Sequence, residues 1–197
     1  MLLTPGPTPV PEFVRKAMSD ITIHHRTEEF EAIFKNTREL LIELYDMPEV
    51  VMLASSGTGA MEACVTNLTH KKALTINSGK FGERFGKICA AFGIDYTEIK
   101  NEWNTPVSVE AVINAIKADS SIDAVFIQIC ESAGGLRHPV EQIAAEIKRI
   151  NKDITIVADG ITAVGVEKID TTNLDAVVTG SQKALMLPPG LAMIGFS

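Results

Sequence analysis

The sequence predicts an α/β fold: a mostly parallel sheet with helices on both faces. Three observations predict it. From residue 50 onward, short apolar runs of strand length alternate with amphipathic stretches of helix length. The apolar runs are continuous rather than alternating with polar residues, which is the pattern of strands buried on both faces. Small, charged and aromatic residues fall just after those runs, where open α/β sheets hold their ligands.

The elements follow in order. Residues 2–11 carry four of the nine prolines (Pro5, Pro7, Pro9 and Pro11), so this segment is an extended arm. Residues 11–18 read as a short helix with proline at its start. Residues 1–20 are thus an arm and short helix, and 21–197 one domain. His24-His25-Arg26-Thr27 is a polar turn. Two adjacent histidines do not share a helix face, and no carboxylate or cysteine spacing supports a metal site. Thr27 caps the next helix, with Glu28 and Glu29 near its positive end. Phe30, Ile33, Phe34, Thr37, Leu40, Leu41 and Leu44 form one face of it. Strands are predicted over 50–54, 73–76, 96–99, 124–129, 154–158, 176–178 and 191–196. Helices are predicted from residue 60 through 68 and over 82–92, 107–118 and 140–150.

Composition narrows the classes. The chain has 197 residues, 46% of them hydrophobic and 22% charged, which suits one globular domain with a substantial core. A net charge of -7 without a basic stripe argues against a nucleic-acid partner. No apolar run reaches membrane-spanning length, and the N-terminus lacks the pattern of a signal peptide. The three cysteines, Cys64, Cys89 and Cys130, sit apart among apolar neighbours. They read as buried, reduced thiols of a cytoplasmic protein.

Four features fall at predicted strand ends. Lys183 lies in residues 179–190 (TGSQKALMLPPG), an irregular turn after a buried strand. A lysine shielded from water there can lose its proton and attack a carbonyl to form a Schiff base; the alternative is a solvated surface lysine. Ser55-Ser56-Gly57-Thr58-Gly59 joins a strand to a helix. It can present backbone N–H groups and a helix dipole to an anion, or be a plain tight turn. Asp159 ends an apolar strand, where a carboxylate is costly unless it has a partner. That partner can be a ligand, a helix end or an arginine. Phe81, between Lys80 and Gly82, can lie flat against a ring or belong to the core. A phosphate cradle, a stacking aromatic, a buried carboxylate and a reactive lysine together are what pyridoxal phosphate needs.

With those residues in place, the chain resembles the fold-type I, class V aminotransferases, closest to the alanine–glyoxylate and serine–pyruvate branch. The resemblance rests on Thr4-Pro5-Gly6-Pro7, Ser56-Gly57-Thr58, Lys80-Phe81-Gly82-Glu83-Arg84, Glu131-Ser132, Asp159-Gly160 and Gly180-Ser181-Gln182-Lys183-Ala184, in this order. It implies the large, cofactor-binding domain of a pyridoxal 5'-phosphate enzyme, with Lys183 as the Schiff-base lysine and Asp159 at the pyridine nitrogen. It places Ser56, Gly57, Thr58 and Gln182 at the phosphate, Phe81 on the ring, Ser132 beside the phenolic oxygen, and Gly6 nearest the substrate. It implies transfer of an amino group from a small amino acid (alanine, serine or aspartate type) to a 2-oxo acid such as glyoxylate or pyruvate, in a homodimer. It also implies a small domain beyond Ser197 carrying the arginine for the substrate carboxylate, so that residues 1–197 alone turn over weakly or not at all.

Glu131-Ser132-Ala133-Gly134-Gly135 departs from the family's usual Glu-Ser/Thr-Ser-Thr-Gly by two hydroxyls. Cysteine desulfurases of the same class usually stack histidine on the ring and carry histidine before the lysine; here those positions are Phe81 and Gln182. Enzymes acting on 2-aminoethylphosphonate or ureidoglycine remain alternatives within the family. A fragment that binds cofactor without turnover, and an α/β binding domain with no cofactor, are the readings outside catalysis.

Overall fold

Seven strands build the central sheet in the computed structural model, which describes residues 2–197. They are β1 (Glu49–Leu53), β2 (Lys72–Asn77), β3 (Tyr96–Lys100), β4 (Ile122–Gln128), β7 (Thr155–Asp159), β8 (Ala176–Gly180) and β9 (Ala192–Phe196). A separate two-stranded hairpin, β5 (Cys130–Glu131) and β6 (Leu136–Arg137), stands between β4 and β7. The helices are α1 (Glu12–Ala17), α2 (Glu28–Tyr45), α3 (Gly57–Leu68), α4 (Gly82–Phe92), α5 (Val109–Ala118) and α6 (Val140–Ile150).

The strand order is β1-β9-β8-β7-β4-β2-β3. Strands β3, β2, β4, β7 and β8 run parallel, while β9 is antiparallel to both its neighbours. The reversal at β9 has a local cause. Pro188, Pro189 and Gly190 (φ 144°) bend the chain back, and the Ser181 N–H meets the Leu191 carbonyl at 3.0 Å as the returning strand begins.

Each sheet face buries its own apolar layer. On one, Leu41 of α2, Val112 of α5 and Ile143 and Ile147 of α6 pack on Ile76, Val125, Ile127 and Ile156. On the other, Met61 of α3 and Phe85 and Cys89 of α4 pack on Phe126, Val157 and Val178. The Phe85 and Phe126 rings are tilted at 42° with centroids 5.2 Å apart, a geometry worth about 1 kcal/mol beyond the area it buries. Thr27, Ser56 and Ser108 accept N–H groups of the first turns of α2, α3 and α5. Gly93, left-handed at φ 67°, ends α4; its N–H and that of Ile94 reach the carbonyls of Ala90 and Cys89.

The structure differs from the sequence reading in several places. The apolar face expected on α2 is mostly uncovered: Leu41 is buried, but Ile33, Phe34, Leu40 and Leu44 are 42–57% exposed. Helix α5 starts at Val109, because Ser108 caps it. Val107 stays outside the helix, buried, and donates its N–H to His138 Nδ1 at 3.2 Å. Strand β4 starts earlier, at Ile122, which pairs with Lys72 of β2; the Asp123 carboxylate also accepts the Lys72 N–H at 3.2 Å. Cys64 and Cys89 are buried, whereas Cys130 is only half-buried and faces Glu167 at 3.8 Å. No helix of the described residues is long and apolar enough to cross a membrane.

Candidate active site

The parallel strands deliver their carboxyl ends to one edge of the sheet. Gln128 of β4 pairs in register with Asp159 of β7, and Asp159 with Val178 of β8. The chain leaving β8 carries Lys183 three residues past Gly180, and the chain leaving β2 carries Phe81. As a result Phe81, Ser132, Asp159 and Lys183 line one cleft, together with Cys130, Ile161 and Thr162. The sequence brings these four residues from four separate segments of the chain.

Asp159 is 4% exposed, and its Oδ1 accepts the Ile161 N–H at 2.9 Å. Burial pushes its carboxyl up to about 7, and the negative charge of Glu131 adds to this; the Ile161 N–H, Arg84 and Lys183 pull the other way. Lys183 is half-buried. Desolvation lowers its pKa, Asp159 opposes that, and the positive charge of Arg84 reinforces it. A carboxyl raised and an amine lowered in the same cleft is the electrostatic pattern of a reactive site.

The N-terminal arm closes over the lysine. The Thr8 hydroxyl donates to the Lys183 carbonyl at 2.8 Å, and the Thr8 N–H to the Gln182 carbonyl at 3.0 Å. Gly6 lies so close that a Cβ there would sit 2.5 Å from Lys183 Cδ and 2.8 Å from Nζ. With the arm docked against Lys183, the cleft holds only about 10 Å³ of free space. A much larger hollow of about 730 Å³ runs between α2 and residues 164–171, yet none of the predicted site residues borders it. The reactive groups, rather than the volume, mark the site.

The predicted anion cradle lies beside the cleft and does not line it. Ser56 spends its hydroxyl on the cap of α3, accepting the Gly59 N–H at 3.4 Å. Gly57 packs against Ile161, where a Cβ would meet Ile161 Cδ1 at 2.4 Å. The Thr58 hydroxyl accepts from Arg84 at 2.9 Å, and the Arg84 guanidinium lies 4.9 Å from the centre of the Phe81 ring. Gln182 has its Oε1 buried without a donor. His24 and His25 stack on each other at 4.5 Å on the exposed turn before α2, far in character from a ligand set.

Sequence reasoning assigned no role to four residues that the structure brings in. Arg84 connects cradle and cleft, Thr8 ties down the arm, and Glu131 and Gln128 hold the backbone of Phe81. A glutamine closing the apolar run of β4 and a glutamate three residues beyond the strand were the available signals.

An α/β sheet with a lysine, a buried carboxylate and an aromatic at its carboxyl edge defines a class of protein that comparison names directly. The chain belongs to the class-V aminotransferase family, whose model, "Aminotransferase class-V", matches residues 2–197. It is 51% identical over 197 residues to an uncharacterized aminotransferase of Helicobacter pylori strain J99, covering 100% of this chain and 53% of that protein. It is 30% identical over 204 residues to the L-aspartate–glyoxylate aminotransferase of Paracoccus denitrificans, covering 100% of this chain and 52% of the relative. A Thermus thermophilus aspartate aminotransferase of subgroup IV superposes with a TM-score of 0.91 at 32% identity, over 99% of this chain and 56% of that one. The chain thus spans about half the length of the relatives it matches.

Proposed function

We propose that this chain is the cofactor-binding part of a pyridoxal 5'-phosphate-dependent aminotransferase. It moves an amino group from a small amino acid of the alanine, serine or aspartate type to a 2-oxo acid such as glyoxylate or pyruvate. The observation that carries the proposal is the pairing of buried Asp159 with half-buried Lys183 in one cleft, beside Phe81. Family membership and the two relatives with aspartate in their names support it.

The residues fit the cofactor. Asp159 is a buried carboxylate without a salt-bridge partner among the described residues, and a protonated ring nitrogen would supply one. Gln182 has an orphaned Oε1; with its amide turned over it would offer N–H groups to a phosphate oxygen. The N-terminus of α3 at Gly57 and Thr58, with Arg84 attached, is a positive end for the same phosphate. When bound, pyridoxal phosphate supplies an aldehyde for a primary amine and a ring that accepts electrons from the substrate's α-carbon.

The chain's own residues have the remaining work. Lys183, with its pKa lowered, keeps a larger neutral fraction at its Nζ than a surface lysine, so it can act as nucleophile and then hold and return the α-proton. Asp159 would carry the negative charge that a protonated ring nitrogen needs, the nitrogen's positive charge offsetting the burial that otherwise favours the protonated carboxyl. Phe81 would cover a ring face and, with the docked arm at Gly6, exclude water. Ser132 lines the same cleft, and its hydroxyl would be the group offered to a phenolic oxygen. A homodimer and a cytoplasmic setting belong to the same proposal; the uncovered Ile33, Phe34, Leu40 and Leu44 of α2 offer apolar surface for further contacts.

The test is to incubate the chain with pyridoxal phosphate and, separately, alanine, serine, aspartate, 2-aminoethylphosphonate and cysteine. Stoichiometric release of the matching 2-oxo acid from one of the first three, abolished in Lys183→Ala, is expected. Sulfide release from cysteine would instead indicate desulfurase chemistry, and no reaction with any amine together with no borohydride-reducible adduct at Lys183 would contradict the proposal.

A further inference from the structure

Phe81 is held by its backbone, and both holds come from one short segment of chain. The Phe81 N–H and the Gly82 N–H both donate to Glu131 Oε2, each at 2.9 Å. The Phe81 carbonyl accepts from Gln128 Nε2 at 2.9 Å. Glu131 and Gln128 are both fully buried, at 0% exposure. Glu131 Oε1 accepts a third N–H, from Ala133, at 3.2 Å.

The arrangement substitutes for a missing cap. Phe81 is the N-cap of α4 and has no side chain that can accept the first N–H groups of the helix. Glu131, from the β5 hairpin, provides that acceptor from outside, and its negative charge meets the positive end of α4. The chain passes hard against it: a Cβ on Gly79 would lie 2.4 Å from Glu131 Cγ, and one on Gly82 would lie 2.5 Å from the Ile76 carbonyl. A glycine is needed at both points. Gln128, in turn, sits opposite Asp159 in the β4–β7 register. The ring and the carboxylate are therefore referenced to the same strand pair.

We infer that Glu131, assisted by Gln128, is a positioning residue that sets the depth of the Phe81 ring relative to Asp159 and thereby the orientation of the bound cofactor. This rests on the reading of the cleft as a pyridoxal-phosphate site. Glu131 touches neither substrate nor cofactor in this role; it acts through Phe81. Its negative charge also bears on Asp159, which it pushes toward the protonated form.

Four variants of the chain test this: Glu131→Gln, Glu131→Ala, Phe81→Ala and the Glu131→Gln/Phe81→Ala double variant. Three readouts apply: the dissociation constant for pyridoxal phosphate, the visible circular dichroism of the bound cofactor, and amide hydrogen exchange without cofactor. In Glu131→Ala, exchange at the Phe81 and Gly82 amides rises at least about tenfold and cofactor affinity falls by about tenfold or more, with reduced dichroism. Glu131→Gln keeps the shape and one acceptor oxygen but opposes an NH₂ group to a backbone N–H, so it falls between. If Glu131→Ala loses its melting transition, Glu131→Gln carries the test. A merely structural role would add its loss to any background; here Glu131→Gln costs less than about twofold once Phe81 is alanine. Unchanged affinity and dichroism in both Glu131 variants, or full additivity with Phe81→Ala, overturn the inference alone. Failure of the unmodified chain to bind pyridoxal phosphate overturns it together with the reading of the site.

Discussion

Gly6 lies directly against the side chain of Lys183, with room for a hydrogen and none for a methyl group: a Cβ there would stand 2.5 Å from Lys183 Cδ. The atom it would meet belongs to a flexible side chain, so Gly6→Ala costs little stability. It instead displaces either the arm or the amine. The expected outcome is a melting temperature within a few degrees of the unmodified chain, with modification of Lys183 by pyridoxal phosphate altered in rate by about tenfold or more. Stopped-flow absorbance measures the rate.

The arm itself is tethered at Thr8. Thr8→Val removes the hydroxyl that donates to the Lys183 carbonyl at 2.8 Å and leaves the backbone bond to Gln182. One such bond is worth about 1 kcal/mol. Limited proteolysis is then expected to cut within residues 2–10 several-fold faster, while cleavage elsewhere stays unchanged. Equal cleavage rates would show that the tether does not hold the arm.

Asp159 makes the folded chain sensitive to pH in a defined direction. Its folded pKa is about 7, raised from 3.8, chiefly by burial. Between those values the folded state keeps a proton that the unfolded state has released, so stability falls as pH rises through that window and levels off above about 7. Asp159→Asn removes the buried charge. Without cofactor it is expected to be more stable than the unmodified chain at pH 8, by on the order of a few kcal/mol, and equal to it at pH 4. Denaturant melts at the two pH values read this directly. The gain in stability comes at the expense of the site, the usual bargain for a buried functional charge.

Arg84 acts on both ends of the site. Arg84→Met removes the bond to Thr58 and the contact with the Phe81 ring. It also removes a positive charge that holds the Lys183 pKa down. Two consequences are expected: weaker binding of pyridoxal phosphate and a shift of the pH midpoint for Lys183 modification to higher pH. A midpoint that moves down, or stays fixed, would contradict the placement of the Arg84 charge beside the amine.

How much of this was legible in the sequence differs by element. The strands and the helices α4 and α6 were readable because burial imposes apolar continuity on one and a helical period on the other. Helix α2 shows where that logic stops. Its apolar face has the right period, yet only part of it is covered, since periodicity reports a preference for burial and not the presence of a partner. Lys183, Asp159 and Phe81 were legible as residues at strand ends, and Ser132 only through the family resemblance. Their convergence on one cleft depends on the strand order, which local pattern does not encode. Arg84, Gln128 and Glu131 were least visible, because their importance lies in hydrogen bonds spanning 26 to 50 residues of chain.

The most direct measurement is to mix the chain with pyridoxal phosphate, reduce with borohydride, digest and map the modified peptide. The account predicts one covalent label per chain, on Lys183, lost in Lys183→Ala and weakened in Asp159→Asn. Label spread over exposed lysines such as Lys80 and Lys87, with Lys183 unmarked, would contradict it.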